Sequence, residues 1–342
     1  MKQYSNFFLL TYNPNQFRFA ASLINYYHLN DNKNLIFCRK KIGHKSPAKR
    51  TLKDFNSTFF YIPHFSSKKR LAELCNLLIY ICYVSFFLIR NNPKRCNLIM
   101  GNYLFNAQRS ICNIFLNSLN KIYVTDEGTS TILLANRRKE LIHLNSKLTW
   151  WNKLLKTGHP TKPLTFYTNF LINDNEIDKI DLIKDLYQDV KLKQIDRNII
   201  IFIGTYLVES NLISKEYFEL ILKKLHTQNE GKKIVYIPHH NESYIYTSKA
   251  VDVYNLTILK LNKTIEDYLI ESETIPGVIA SLTSTGFLYS SLILGNKVAY
   301  QNYIIDPSEL PVKDKKGYEN LYNLFDFQLK HLDYLKIHVE SY

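Results

Sequence analysis

Apolar positions along the chain come in two alternating textures. Short β-type runs appear at NFFLLTY (6 to 12), NLIFC (34 to 38), TFFYIP (58 to 63), NLIMG (97 to 101) and KIYVT (121 to 125). Between them lie longer stretches with helical spacing, at 16 to 28, 68 to 90 and 104 to 119. After the polar, charged segment 174 to 196 the pattern restarts with NIIIFIG (198 to 204), KKIVYIP (232 to 238), LTILKL (256 to 261), GVIASLT (277 to 283) and KVAYQ (297 to 301). Helices are predicted between these at 214 to 228, 264 to 272 and 286 to 294, with closing helices over 317 to 337. Strands alternating with helices predict an α/β fold with parallel sheets. We expect two Rossmann-like domains facing a central cleft: 1–175, a linker over 176–196, 197–316, and C-terminal helices, 317–342, packing back across the junction.

In such sheets ligands bind beyond the carboxyl ends of the strands, so the residues that follow each strand carry the functional information. Three such places stand out among the strand ends. KIYVT runs into Asp126, Glu127 and Gly128, a carboxylate pair in which each member opposes ionisation of the other and so can hold a proton-accepting group near neutrality. A helix cap is the alternative reading of that pair. KKIVYIP ends in Pro238 and continues into His239 and His240, where an imidazole could meet a phosphate. GVIASLT is followed by Ser284, Thr285 and Gly286 and then an apolar helix, which offers an N-terminal anion site or an ordinary N-cap. Gly204 and Thr205 follow the first strand of the second half. Glu266, near a predicted helix start, could accept hydrogen bonds from ribose hydroxyls, the alternative being a surface charge.

Composition narrows the classes. The 342 residues are 46% hydrophobic and 22% charged, which excludes bulk disorder. The five cysteines have no CxxC pair, so reduced thiols packed as small apolar groups are expected rather than a disulfide framework or a zinc site. The N-terminal apolar run is too short for a signal peptide, and no export is expected. The net charge of +14 calls for an anionic partner. No nucleic-acid motif accompanies the basic clusters, among them Lys68, Lys69 and Arg70, Lys94 and Arg95, and Arg137, Arg138 and Lys139. They read as a solvated face suited to lipid headgroups. Residues 71 to 89 are long enough to span a bilayer, but Glu73 and Asn76 favour a buried helix of the α/β domain. Trp150 and Trp151, among lysines, read as an interfacial pair, with core or groove packing as the alternative.

Taken in order, Asp126-Glu127-Gly128, Pro238-His239-His240 and Ser284-Thr285-Gly286 resemble the acidic-acidic-Gly, His-Pro and Ser-Ser/Thr motifs of bacterial sialyltransferases, most closely glycosyltransferase family 52, the lipooligosaccharide and capsule type. The family usually has proline where this chain has His240. The resemblance implies a GT-B architecture and an inverting, metal-independent transfer of sialic acid from CMP-sialic acid to a bacterial surface glycan, with no cofactor. It implies Glu127 or its neighbour Asp126 as general base, with Glu127 preferred, and His239 on the CMP phosphate. Ser284 and Thr285 would bind the same phosphate and Glu266 the cytidine ribose, with Gly128, Gly204, Thr205, Pro238, His240 and Gly286 lining the substrate. The partners expected are the CMP-sugar, a glycan acceptor, an anionic membrane surface contacted peripherally from the cytoplasmic side, and a second copy in a homodimer; nucleic acid is not expected. Another GT-B glycosyltransferase, including a polysialyltransferase, and a nonenzymatic binder of anionic ligands are the alternatives.

Overall fold

The computed structural model describes residues 4–10, 14–38, 52, 55–63, 70–125, 129–172, 176–183, 187, 194–282, 284–311, 319, 323 and 337–340. The chain divides into two compact units, Met1–Leu186 and Tyr187–Tyr342.

The first unit carries β1 (Ser5–Leu10), α1 (Pro14–Tyr26), β2 (Lys33–Cys38), β3 (Ser57–Tyr61), α2 (Arg70–Arg90), β4 (Cys96–Met100), α3 (Asn106–Phe115) and β5 (Lys121–Thr125). These are followed by α4 (Thr129–Asn136), α5 (Arg138–His143), α6 (Trp150–Leu154), β6 (Thr165–Thr168) and β7 (Lys179–Leu182). All seven strands are parallel, in the order β3-β2-β1-β4-β5-β6-β7. Parallel strands are covered on both faces, which is why β1, β2 and β4 are unbroken apolar runs instead of alternating ones. Phe7, Leu9, Leu35, Phe37, Leu98 and Met100 pack against Tyr80, Val84 and Leu88 of α2 and Ile111 and Cys112 of α3. Phe8, Leu10, Ile36 and Ile99, one step out of phase, are equally buried on the other face.

Inside this apolar sheet runs a row of asparagines. Asn6 Nδ2 donates to Asn34 Oδ1, Asn97 Nδ2 donates to Asn6 Oδ1, and Asn120 Nδ2 donates to Asn97 Oδ1, each at 2.8 Å. Asn6 lies opposite both Asn34 and Asn97 in the strand pairing. A slip of one residue would break every link, so the row fixes the register of the three central strands.

The second unit carries β8 (Gln194–Ile203), α7 (Lys215–Gln228), β9 (Lys233–Ile237), α8 (Ala250–Val253), β10 (Leu256–Ile258), α9 (Ile265–Glu271), β11 (Thr274–Ser281), α10 (Thr285–Leu294), β12 (Ala299–Tyr303) and β13 (Ile337–Glu340). Its six strands are parallel in the order β10-β9-β8-β11-β12-β13. Phe218, Ile221, Leu222 and Leu225 of α7 close one face over Ile200, Phe202, Ile234 and Tyr236.

Several expectations need correction. The sheet of the first unit continues past residue 175: β7 pairs with β6, so part of the segment taken as a linker is an edge strand. β13 adds a strand within 317–342, the stretch expected to form closing helices. Arg138 is not on a solvated face. It is fully buried, its Nε donating to Asp178 Oδ2 at 2.7 Å, its Nη1 to the Tyr103 hydroxyl at 2.8 Å and its Nη2 to the Pro160 carbonyl at 3.0 Å. Its neighbours Arg137 and Lys139 do face solvent, paired to Glu140 and Glu176. Cys38, Cys96 and Cys112 are buried as expected and all five thiols are free, but Cys82 is exposed. Helix α2 is buried along one side only, and Trp150 and Trp151 are exposed and stacked on each other, with ring centroids 3.7 Å apart.

Candidate active site

Strand order locates the site before any side chain is considered. In the second unit β9 and β10 lie to one side of β8, and β11, β12 and β13 to the other. The chain therefore reverses direction across the sheet between β8 and β11, and a crevice opens beyond the carboxyl ends of strands at such a reversal. The loop after β8 begins with Gly204 and Thr205. The turn after β11 holds Ser284, Thr285 and Gly286, and the loop after the neighbouring β9 holds Pro238, His239 and His240. All eight follow β8 or one of its two direct neighbours in the sheet, β9 and β11.

The β9 loop is held by a buried carboxylate. Glu242 is almost completely buried. Its Oε2 accepts from the His239 backbone N–H at 2.9 Å and its Oε1 from the Tyr236 hydroxyl at 2.5 Å. The Glu242 N–H returns to the His239 carbonyl at 2.8 Å, a reciprocal closure like that of a capping box. Gly204 has to be glycine beside this pair: a Cβ there would lie 2.4 Å from Glu242 Oε2 and 2.7 Å from the Tyr236 hydroxyl. Gly204 thus makes room for the carboxylate that sets the histidine loop. Burial, foremost, pushes the Glu242 pKa up to about 7, helped by the charge of Glu209, while the hydrogen bonds from Tyr236 and His239 pull the other way.

His239 is half-buried and His240 is exposed. The Asn241 N–H donates to His239 Nδ1 at 3.2 Å, so the neutral ring carries its hydrogen on Nε2 and presents a donor there. Burial, then the neighbouring His240, lowers the His239 pKa against the opposing charge of Glu209. Tyr206 from the β8 loop stacks on the imidazole at 4.9 Å between centroids, and His240 lies 4.1 Å away on centroids. Glu209 ties the two loops together: its Oε1 accepts from the backbone N–H groups of Ser243 at 2.6 Å and Tyr244 at 2.7 Å. Burial raises the Glu209 pKa, but those backbone bonds outweigh it and leave the carboxylate more acidic than usual.

On the other side of the reversal, Ser284 caps α10, its Oγ accepting from the Gly286 N–H at 3.3 Å. Gly286 permits close packing of two helix starts. A Cβ on it would meet Ile265 Cγ2 of α9 at 2.9 Å and Ile203 Cγ2, the last residue of β8, at 3.6 Å. Ser281 Oγ donates to the Ile203 carbonyl at 2.9 Å and draws the ends of β11 and β8 together. Thr205, two residues beyond Ile203, is buried, and among the described residues its hydroxyl has no hydrogen-bonding partner. An orphaned hydroxyl on the loop after β8 and the amino end of the ten-residue helix after the neighbouring β11 are each suited to an anionic oxygen. Glu266, in the first turn of α9, is buried rather than a surface charge.

Asp126, Glu127 and Gly128 lie outside the described residues. Thr125 before them ends β5 fully buried. Among the described residues no group of three or more His, Cys, Asp and Glu side chains is arranged to hold a metal. A cavity of about 300 Å³ in the first unit opens at Lys121, Ile122, Thr165 and Lys179, the amino ends of β5, β6 and β7, away from the edge where α/β sheets bind ligands.

No family model matches the chain, and no curated protein matches it. Solved structures do. The glycosyltransferase of kitacinnamycin superposes with TM-score 0.51 at 7% identity over 99% of this chain and 87% of its own. The fold is of the GT-B type. Phytolacca americana UGT2, solved with UDP-2-fluoro-glucose and pterostilbene, matches with TM-score 0.50 at 9% identity over 96% and 95% of the two chains. The UDP-GlcNAc 2-epimerase of Neisseria meningitidis, solved with UDP-GlcNAc, gives TM-score 0.50 at 11% identity over 96% and 92%. At these identities the likeness is one of fold.

Residues without a sequence expectation complete the site. Glu242, Glu209 and Tyr206 do not touch one another in sequence with any motif, yet they set the histidine loop. The signal for Glu242 was an acidic residue three positions after His239, the spacing at which a side chain closes back on a backbone N–H.

Proposed function

We propose that the protein is a glycosyltransferase that uses CMP-sialic acid and transfers sialic acid to a sugar of a bacterial surface glycan. The observation that supports this reading is the set of donors on adjacent strand ends: the His239 imidazole, the unpartnered Thr205 hydroxyl and the capped start of α10. These suit a single phosphate, and a CMP-sugar carries one. Solved structures with the same fold include glycosyltransferases. In the reaction the bond from the sialic acid anomeric carbon to the CMP phosphate oxygen breaks as an acceptor hydroxyl oxygen bonds to that carbon from the opposite face. The acceptor proton passes to Glu127 or Asp126. His239 Nε2–H and Thr205 hydrogen-bond the phosphate as charge accumulates on it, the form of stabilisation that contributes most in such sites.

The same fold also serves UDP-GlcNAc 2-epimerases, which favours one further reading, a nucleotide-sugar epimerase. Donor turnover separates the two. CMP-sialic acid, UDP-glucose and UDP-GlcNAc are each incubated with the protein, with and without lactose-terminated acceptors. Acceptor-dependent CMP release is expected; consumption of UDP-GlcNAc without any acceptor would replace the transferase reading with the epimerase one. Glu127→Ala and His239→Ala should each lower CMP release by about a hundredfold or more, the scale of acid–base groups, with circular dichroism unchanged. A nonenzymatic binder would lose ligand on lysine and arginine substitution and be indifferent to both.

A further inference from the structure

Helix α2 leaves one long side uncovered. Leu71, Leu74, Leu78, Cys82, Phe86 and Ile89 are all exposed, Leu71 by 72%, Phe86 by 59% and Ile89 by 65%. At 3.6 residues per turn the six fall within about 60° of one line along the helix, a stripe about 27 Å long. The opposite side, with Asn76, Tyr80, Val84 and Leu88, is buried against the sheet. The only acidic residue of the helix, Glu73, lies off the stripe by the same geometry. Both ends are basic in sequence: Lys68 and Lys69 precede it and Arg70 is its first residue, while exposed Arg90 is its last and exposed Lys94 and Arg95 follow.

The helix is apolar and long enough to cross a bilayer, with a mean hydropathy of 1.9 over its window. Topology forbids it. β3 enters α2 and β4 leaves it, and both strands lie in one parallel sheet, so the two ends of the helix are on the same side of any membrane. An apolar stripe rimmed by cations, on a helix that cannot span, has the chemistry of an element lying in the headgroup region of an anionic bilayer. A second copy fits less well. Pairing two stripes in either direction sets a basic end against a basic end, and like charges there oppose the contact.

We propose that α2 docks the protein on an anionic lipid bilayer, its stripe of Leu71, Leu78, Phe86 and Ile89 lying in the interface and its basic ends on lipid phosphates. The test is sedimentation of the full chain with vesicles of phosphatidylcholine alone or with phosphatidylglycerol added. Binding is expected only to the anionic vesicles and should weaken as salt is raised. The double variant Leu78→Glu, Phe86→Glu should reduce the bound fraction at least tenfold, while Leu220→Glu, at an exposed position on α7 of the second unit, should leave it unchanged. A polarity-sensitive fluorophore on Cys82 of a Cys75→Ser chain gives a readout free of charge insertion, and its emission should shift to the blue on anionic vesicles. A wild-type chain that stays in the supernatant, a double variant that binds as the wild type does, or an unshifted fluorophore overturns the proposal. Light scattering that shows a dimer lost in the double variant assigns the stripe to a second copy instead.

Discussion

Glu242 makes the stability of the second unit depend on pH in a particular direction. Its pKa is raised in the folded chain, to about 7 from 4.5, chiefly by burial. Between those values the folded state binds a proton that the unfolded chain has released, so stability falls as pH rises through that window and levels off above it. The shift corresponds to about 3 kcal/mol. Urea denaturation at pH 5 and pH 8 should show that decline in the wild-type chain and a flatter response in Glu242→Gln; parallel responses would remove the argument. Arg138 acts on the first unit through its buried pairing with Asp178, which leaves either partner unmatched if the other is removed. Arg138→Met should destabilise the first unit by about 3–5 kcal/mol, read from its denaturation midpoint. Neither residue announced itself in the sequence. Arg138 sits in a run of three cations that looks solvated, and what buries it is an aspartate 40 residues away.

Elements were legible wherever burial on both faces wrote itself as an unbroken apolar run. β1, β2, β4, β5, β8, β9 and β11 all fall on such runs, and the motifs that follow β8, β9 and β11 could be placed on a ligand-binding edge from sequence alone. The edge strands could not. β7, KIDL, is half-exposed and carries two charges, so it shares the texture of the polar segment around it, and pairing with β6 is what makes it a strand. α2 misled for the converse reason: apolar residues surround it, and the sequence pattern carries no mark of which side the sheet leaves open. The asparagine row acts at this scale, joining strands. Asn6→Ala should leave the Asn34 oxygen and an Asn97 N–H without their partners inside the sheet, each costing about 1–3 kcal/mol, and the loss should appear as faster hydrogen exchange across β1, β2 and β4.

At the scale of the molecule, two units repeat one plan, each reversing direction across its own sheet, between β1 and β4 in the first and between β8 and β11 in the second. That plan explains why short motifs scattered over 342 residues could be read as parts of a binding edge: topology, which the alternating pattern does reveal, assigns strand ends to sites, while the packing that tunes a pKa depends on partners the pattern does not name. The reversal between β1 and β4 also imposes an order on synthesis. β1 leaves the ribosome well before β4, because Asn97, which completes its hydrogen bonding, follows Asn6 by 91 residues. At translation rates of about 5–20 residues per second the nascent strand waits about 5–20 s with one edge unpaired. Asn6 stands on that open edge throughout, a polar side chain near the start of an otherwise apolar strand, and a foreign strand that pairs there without an amide in register leaves it buried and unsatisfied. The row that fixes register in the finished sheet thus also discriminates, during the wait, against the wrong neighbour.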